Sequence, residues 1–354
     1  MNEQIPAAAL APLLTAAYAL PEPLQCTVIR RGFNDAYRVT TAAGEYVARV
    51  YLNGKYFIRA DADFGAELAL LERLAEAGLP VAAPVRAAAG DLLTALAYGE
   101  ETRRAALFPF VTGEPAHGDL SAADATALGA LVGRLHDAMD RFDRADSRYT
   151  LDQRYLLDQP LLLLRDHAGV HALADLTERA RGYRALLARL ARTAPAFGLI
   201  HADLNSGNIL RTPDGGFTLI DFDHCAYGWR AYDLAPFWKR GGETWSAFLA
   251  GYESVRPLSA AEREAMPAFA AMRDLWDVGD LLAMMPAWGK APSDQFLDEA
   301  LATSGALSRD ARRRATGHRP RRCAWPVRPG GFDHMTFRQV WAPGGSDPPE
   351  SGGD

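Results

Sequence analysis

The sequence predicts an α+β protein with a small antiparallel-sheet lobe, a larger helical lobe and a disordered C-terminal tail. Residues 25–112 contain short strand patterns, in which apolar and polar side chains alternate, around a single helical segment. Residues 113–303 show mainly helical periodicity, in which apolar side chains recur every three or four positions. Residues 304–354 lose this periodicity and are rich in Arg, Pro and Gly, a composition that is typical of disorder.

Composition and charge indicate a soluble cytoplasmic protein. The chain has 354 residues, of which 49% are hydrophobic and 23% are charged, as is usual for globular proteins. Its three cysteines lie far apart, which fits a reducing compartment better than a disulfide framework. Residues 1–24 lack the basic start of a signal peptide and contain prolines, so they make a poor signal peptide. We expect them to form a helical cap instead. No apolar stretch is long enough to span a membrane, and the net charge of -6 argues against nucleic acid as a partner.

The small lobe is predicted to begin with a three-strand meander. Its strand patterns, separated by turn residues, lie at 25–30, 36–41 and 45–51. A helix is expected over 61–77, where apolar residues share one face, and Pro80 prevents its continuation. Two further strands are predicted at 92–98 and 105–110.

The larger lobe is predicted to be helical, except around a few short strands. Ser121 and Asp124 form the start signal of a helix that extends to Met139. Other helical patterns cover 172–193 and most of 230–302. Short strands are predicted at 199–200, 208–211 and 217–220. In the tail, residues 309–354 carry nine Arg against five acids, so this segment could contact acidic partners, although we expect a solvated tail.

A cluster of polar residues between the short strands predicts phosphoryl transfer. This chemistry needs a base for the acceptor hydroxyl, ligands for a metal ion and a cation for the phosphates. In the pattern His201-x-Asp203-x-x-x-x-Asn208, Asp203 is spaced to act as the base, and His201 is expected to support the loop. Asn208 and Asp221 offer the oxygen ligands that Mg²⁺ prefers. The alternative is ordinary turn chemistry, because Asp, Asn and Gly favour tight turns.

These segments resemble the aminoglycoside phosphotransferase and choline kinase superfamily, whose fold is similar to that of protein kinases. The resemblance covers residues 25–302 and is carried by HADLNSGNIL at 201–210, IDFD at 220–223, YVARVY at 46–51 and FPFVTG at 108–113. Within the superfamily, the chain is most similar to homoserine-kinase-like members. The resemblance implies a two-lobed kinase that uses ATP and Mg²⁺ to phosphorylate a hydroxyl of a small molecule, such as an amino alcohol or an aminosugar.

The resemblance also implies roles for charged residues around the motif. Arg49 stands where relatives usually have the lysine that contacts the phosphates, and Glu67 is its expected ionic partner. Arg keeps the charge of Lys but has a different geometry. Asp223 is expected either to assist Asp221 at the metal or to brace the loop. Asn205 occupies a position where many relatives have a second histidine.

The expected nucleotide contacts of the small lobe are less distinctive. Gly32 lies in the turn that should cover the phosphates, but it is a single glycine where a glycine-rich loop would have several. Phe110 and Thr112 lie in the segment that the resemblance identifies as the hinge beside the adenine. Aromatic and acidic residues of the helical lobe, such as Trp229, Trp276 and Asp280, could surround a cationic acceptor, or they could simply form the core.

Other functions are compatible with the same pattern. Because Arg49 and the single Gly32 depart from the usual nucleotide site, the chain could be a pseudokinase that binds nucleotide without turnover. It could also be a protein Ser/Thr kinase of the same superfamily. A third hypothesis, nucleic-acid binding through the Arg-rich tail, predicts salt-sensitive binding that is lost on truncation. The intact Asp203, Asn208 and Asp221 favour a catalytically active small-molecule kinase.

Overall fold

The computed structural model describes residues 3–142, 147–165, 170–289 and 291–293, together with 297, 300 and 301. These residues form a small lobe with an antiparallel sheet and a larger helical lobe, as the sequence predicts. The predicted disordered tail, residues 304–354, lies outside the described residues. No helix in the described part of the chain is long and apolar enough to cross a membrane.

The small lobe is built on a five-stranded antiparallel sheet in the order β1-β2-β3-β5-β4. Its strands are β1 (Gln25–Arg30), β2 (Asn34–Thr41), β3 (Gly44–Tyr51), β4 (Thr94–Tyr98) and β5 (Glu101–Pro109). β5 begins four residues before the predicted position, because a tight turn pairs Tyr98 directly with Glu101. This turn contains Gly99, whose positive φ of 60° suits glycine.

One helix covers each face of this sheet. α1 (Ala7–Tyr18) lies within the segment for which a helical cap is predicted, and its Leu10 and Leu14 pack with Ala48 and Val50. α2 (Asp61–Glu76) packs on the opposite face, where Tyr51 meets Phe64. Neighbouring side chains of a strand point to opposite faces. Arg49, which lies between two residues of the α1 face, is therefore directed towards α2.

The larger lobe is a bundle of six helices among the described residues. They are α3 (Ala122–Met139), α4 (Gln159–Leu164), α5 (Val170–Leu187), α6 (Arg230–Trp238), α7 (Gly242–Glu253) and α8 (Ala260–Met284). Ser121 accepts a hydrogen bond from the Asp124 amide and so begins α3 as predicted. α3 and α7 approach closely at Gly129 and Gly251, where an added Cβ atom would overlap the backbone of the other helix.

Two small antiparallel sheets at the lobe boundary position the predicted motif. β7 (Phe197–Ile200) pairs with β10 (Ala226–Trp229), and β8 (Ile209–Arg211) pairs with β9 (Phe217–Leu219) and β6 (Glu114–Pro115). The loop after β7 contains residues 201–208, and the loop before β10 contains residues 220–225. Because Ile200 pairs with Ala226, and Ile209 with Leu219, the two loops lie side by side.

Candidate active site

Asp203 is fully buried at the centre of the first loop, and its carboxylate contacts polar side chains. The Asn205 side-chain amide donates to its Oδ1 at 3.1 Å, and the Asn208 amide donates to its Oδ2 at 3.0 Å. Arg273 of α8 approaches Oδ1 with Nη2 at 3.2 Å. Asn205 also accepts a hydrogen bond from the Gly207 amide, so this residue fixes the turn. The carboxylate is thus oriented by side chains from both its own loop and the helical lobe.

The base of this loop is held by Asp233 in the first turn of α6. Its carboxylate accepts hydrogen bonds from the backbone amides of His201 at 2.8 Å and Ala202 at 2.9 Å. Ala202 has a φ of 64°, a left-handed conformation that these two bonds help to maintain. His136 donates from Nε2 to Asp233 at 3.2 Å, and burial lowers the pKa of His136 to about 4. The histidine is therefore neutral near pH 7 and supports Asp233 through a hydrogen bond.

His201 joins the two loops, as expected of a supporting residue. Its Nε2 donates to the backbone oxygen of Ile220 at 3.0 Å, and its Nδ1 accepts from the Asp203 amide at 3.3 Å. A second link runs from the Ile220 amide to the backbone oxygen of Asn208, at 3.0 Å. Asp221, the next residue, is thereby brought beside Asn208. Its φ of 63° is another left-handed conformation, here at a candidate metal ligand.

Asn208 and Asp221 suit a magnesium ion. Asn208 donates its side-chain NH₂ to Asp203, which leaves the amide oxygen for another partner. The Asp221 side chain is 11% exposed. Its Oδ2 lies 3.4 Å from Arg30 Nη2, and its Oδ1 lies 3.5 Å from Arg49 Nη2. No group of three His, Cys, Asp or Glu that could hold a metal occurs within the described residues. This donor set fits Mg²⁺, which usually takes only one or two protein carboxylates and completes its shell with phosphates and water.

Arg49 and Glu67 form the ion pair that the sequence predicts. Arg49 Nη1 lies 2.6 Å from Glu67 Oε1, and the Glu67 carboxylate is fully buried between β3 and α2. Tyr51 donates its hydroxyl to the other oxygen of Glu67 at 3.3 Å. Burial raises the pKa of Glu67, and the charge of Arg49 opposes this effect. Because its second nitrogen reaches Asp221, Arg49 links the sheet to the loop of residues 220–225, which we call the metal loop after its candidate metal ligand.

A second buried cation of the small lobe was missed by the sequence analysis. Lys55 Nζ lies 2.5 Å from Asp223 Oδ2 and 2.5 Å from Asn34 Oδ1, and Asn34 donates to the same Asp223 oxygen at 3.0 Å. Burial lowers the pKa of Lys55, whereas Asp223 raises it. Asp223 Oδ1 is buried and has no hydrogen-bond partner within the described residues. We call Arg49, Lys55, Glu67, Asp221 and Asp223 the sheet-side network.

Comparison with known proteins identifies the family. A model of the phosphotransferase enzyme family (APH) matches residues 25–275. The chain belongs to this family. It is 36% identical to an uncharacterized protein of Deinococcus radiodurans, over 77% of this chain and 80% of that protein. It is 33% identical to a homoserine kinase of Acidiphilium cryptum, over 75% of this chain and 81% of the kinase.

A solved structure supports the same assignment. The structure of a microcompartment-associated aminopropanol kinase matches with a TM-score of 0.69 and 25% identity, covering 86% of this chain and 99% of that one. These findings confirm the superfamily resemblance and the two-lobed kinase-like fold. The protein is thus a small-molecule kinase of the APH family. The roles of individual site residues and the identity of the acceptor stay predictions.

The expected nucleotide contacts of this phosphotransferase lie where the sheet meets the helical lobe. Gly32 lies in the turn between β1 and β2, and its backbone oxygen accepts from Trp288 Nε1 at 3.2 Å. Phe110 follows β5, where its amide donates to the Glu45 oxygen at 3.0 Å. Thr112 is exposed in the segment that crosses to the helical lobe. All three therefore lie outside the regular strands.

The aromatic and acidic residues of the helical lobe separate into two groups. Trp229 belongs to the core, since it packs against Phe197 and donates to the Ala191 oxygen at 3.1 Å. Trp276 belongs to the same core but lies near the metal loop, with its ring 5.1 Å from that of His224. Asp280, one turn later on α8, accepts from the Tyr56 hydroxyl at 2.9 Å. Only the second group therefore remains a candidate for acceptor binding among these residues.

Proposed function

We propose that this phosphotransferase transfers the γ-phosphoryl group of ATP to the hydroxyl of a small amino alcohol, with Asp203 as the base. The main support is the arrangement of three side chains. Asn208 donates to Asp203 through its side chain and accepts from Ile220, the residue before Asp221, through its backbone. The base and two oxygen ligands suitable for Mg²⁺ thus belong to one hydrogen-bonded unit, as phosphoryl transfer requires.

In the proposed reaction, the acceptor oxygen forms a bond to the γ-phosphorus while the bond to the bridging oxygen of ADP breaks. The hydroxyl proton passes to the Asp203 carboxylate, and ADP leaves with the bonding electron pair. Asp203 is oriented for this step by Asn205, Asn208 and Arg273. Bound Mg²⁺, held by Asn208 and Asp221, would neutralise charge on the β- and γ-phosphates.

The sheet-side residues are proposed to bind the nucleotide. Arg49, which Glu67 holds at 2.6 Å, would contact the phosphates beneath the turn that contains Gly32. Phe110 and Thr112 would provide backbone contacts to the adenine. For Asp223, the ion pair with Lys55 favours bracing over metal binding, because one carboxylate oxygen is already engaged by two side chains.

The choice of an amino alcohol rests on the relatives. The Acidiphilium protein is named a homoserine kinase, and the similar solved structure is an aminopropanol kinase. Homoserine and aminopropanol are both small molecules that carry an amine and a hydroxyl. A shared acceptor chemistry of this kind accounts for both similarities better than an aminosugar does.

The proposal can be tested by measuring ADP release with Mg²⁺-ATP and a panel of hydroxylated amines, and by identifying the phosphorylated product. We expect Mg²⁺-dependent turnover that Asp203→Asn reduces about 10²- to 10⁴-fold, the usual contribution of a general base. Nucleotide binding should survive this substitution, and its measurement is the control. Tight nucleotide binding without turnover on any acceptor would instead indicate a pseudokinase.

A further inference from the structure

Three buried hydrogen-bond donors that have no partner within the described residues lie together on the helical side of Asp203. They are the Tyr232 hydroxyl on α6 and, on α8, Arg273 Nη1 and Trp276 Nε1. The Arg273 guanidinium lies 5.3 Å from the Tyr232 ring centre, and the Tyr232 and Trp276 rings are 6.5 Å apart. The other terminal nitrogen of Arg273 is 3.2 Å from the Asp203 carboxylate. We call these three groups the acceptor-side donors.

The chemistry of these donors limits what can satisfy them. Buried polar groups of folded proteins nearly always have hydrogen-bond partners, so three exceptions at one place indicate a ligand. Arg and Trp side chains can only donate, and the ligand must therefore bring acceptor oxygens. The positive charge and planar fork of a guanidinium favour an anionic, planar oxygen pair. A carboxylate meets all of these conditions.

An acidic residue next to the donors favours an amine in the same ligand. Asp277 follows Arg273 by one helical turn and therefore lies on the same face of α8. Burial raises the pKa of Tyr232, and the negative charge of Asp277 raises it further. Burial acts to lower the pKa of Arg273, whereas the charges of Tyr232 and Asp277 raise it. An ammonium group on the same ligand would add a favourable charge interaction with this acid.

We propose that Tyr232, Arg273 and Trp276 bind a carboxylate of the acceptor, so that the substrates of this kinase are hydroxylated amino acids. This inference rests on the proposed function and narrows it. The hydroxyl is directed to Asp203, while the ammonium group lies towards Asp277. Homoserine and threonine belong to this class, whereas aminopropanol, which has no carboxylate, does not.

The γ-phosphate of ATP is a second possible source of anionic oxygens. Its position is expected near Asn208 and Asp221, where the adjacent cations Arg30 and Arg49 come from the sheet. The acceptor-side donors belong instead to α6 and α8. Of these residues, Arg273 contacts Oδ1 of Asp203, whereas Asn208 contacts Oδ2. The acceptor is therefore the better match.

The test uses pairs of acceptors that differ only in the carboxylate. Homoserine and threonine are each compared with the aminopropanol that results from their decarboxylation. We expect kcat/KM to be at least about 100-fold higher for the amino acid of each pair, because the decarboxylated analogue leaves the donors unsatisfied. Tyr232→Phe and Trp276→Phe remove one donor each but keep an aromatic ring. Each should lower the ratio of kcat/KM for the amino acid to kcat/KM for its aminopropanol about 10- to 100-fold.

Tyr18→Phe is the control, because Tyr18 is also buried but belongs to α1 on the far face of the sheet. It should not change the preference between the two acceptors. Equal losses on both members of a pair, with a raised KM for ATP, would assign the donors to the γ-phosphate and overturn the inference. A wild-type preference for the aminopropanols would also overturn it while leaving the kinase function intact. If no acceptor of either type is phosphorylated, the proposed function itself fails.

Discussion

The two sides of the active site differ in whether their buried charged and polar groups have partners. In the sheet-side network, the buried cations Arg49 and Lys55 are already paired with carboxylates of α2 and the metal loop. Among the acceptor-side donors, by contrast, Arg273 uses one terminal nitrogen on Asp203, and the other has no partner within the described residues. One side is complete without ligand, and the other is not.

This difference has consequences for both stability and recognition. Removing one partner of a buried ion pair leaves an uncompensated charge and destabilises the fold. Removing a donor that has no partner costs the free protein little, because no interaction is lost. We therefore expect substitutions of the sheet-side network to affect folding, whereas conservative substitutions of the acceptor-side donors should mainly affect substrate choice.

The largest effect is expected for Lys55→Met. This change leaves Asp223 buried without its cation and should reduce the free energy of unfolding by about 3–5 kcal/mol, measured by urea denaturation. Asp223→Asn in the same chain should recover much of this loss, since no charge then remains unpaired. Arg73→Met is the matched control. Its ion pair with Glu76 is largely exposed and should contribute about 1 kcal/mol or less. Similar losses of unfolding free energy for Lys55→Met and Arg73→Met would contradict the expected difference between the buried and the exposed ion pair.

The buried pair of His136 and Asp233, which holds the loop of residues 201–208, should make stability depend on pH. Burial lowers the pKa of His136 from 6.5 to about 4, so the unfolded chain binds a proton over this range and the folded protein does not. Stability should therefore fall as the pH drops from about 6.5 to about 4, by about 3 kcal/mol from this residue. Denaturation of wild type and His136→Gln at several pH values measures the effect. The variant should have a flatter profile, and parallel profiles would exclude His136 as the cause.

The smallest effect is expected from a pair of tyrosines that differ in their hydrogen bonds. Tyr149 and Tyr232 are both buried, but Tyr149 donates to the His224 oxygen at 3.2 Å, whereas the Tyr232 hydroxyl has no partner within the described residues. Tyr149→Phe should reduce the free energy of unfolding by about 0.5–1.5 kcal/mol, and Tyr232→Phe should leave it unchanged or slightly raised. Thermal denaturation of both variants compares them directly. Equal destabilisation would mean that Tyr232 is an ordinary core residue.

Residues whose partners are near in sequence could be predicted best. The pattern from His201 to Asp221 is local, and its two loops are joined by short strands that the sequence indicates clearly. The Arg49–Glu67 pair was also predictable, because a strand and the following helix normally pack together. The helix predicted at 172–193 ends earlier, at Leu187, since periodicity fixes the existence of a helix better than its end.

Pairs that depend on how the lobes meet could not be predicted. Lys55 and Asp223 are 168 residues apart, and no periodicity in the sequence connects them. The only sign was composition, because Lys55 is one of three lysines in a chain whose other basic residues are all Arg. The contact between Arg273 and Asp203 was not predicted either, because the two residues are 70 positions apart. Arg273 is buried in the structure, and a buried arginine needs a partner.

The hydrogen bonds that Asp233 accepts from the backbone amides of His201 and Ala202 have a consequence for protein synthesis. Asp233 fixes the backbone of His201, although it follows that residue by 32 positions, and Arg273 reaches Asp203 from 70 positions further along the chain. The ribosome releases the loop before it releases α6 and α8. A nascent or prematurely ended chain that stops before Asp233 therefore carries the motif without the groups that hold it. We expect only chains that contain α6 and α8 to consume ATP, so that incomplete translation products do not use it.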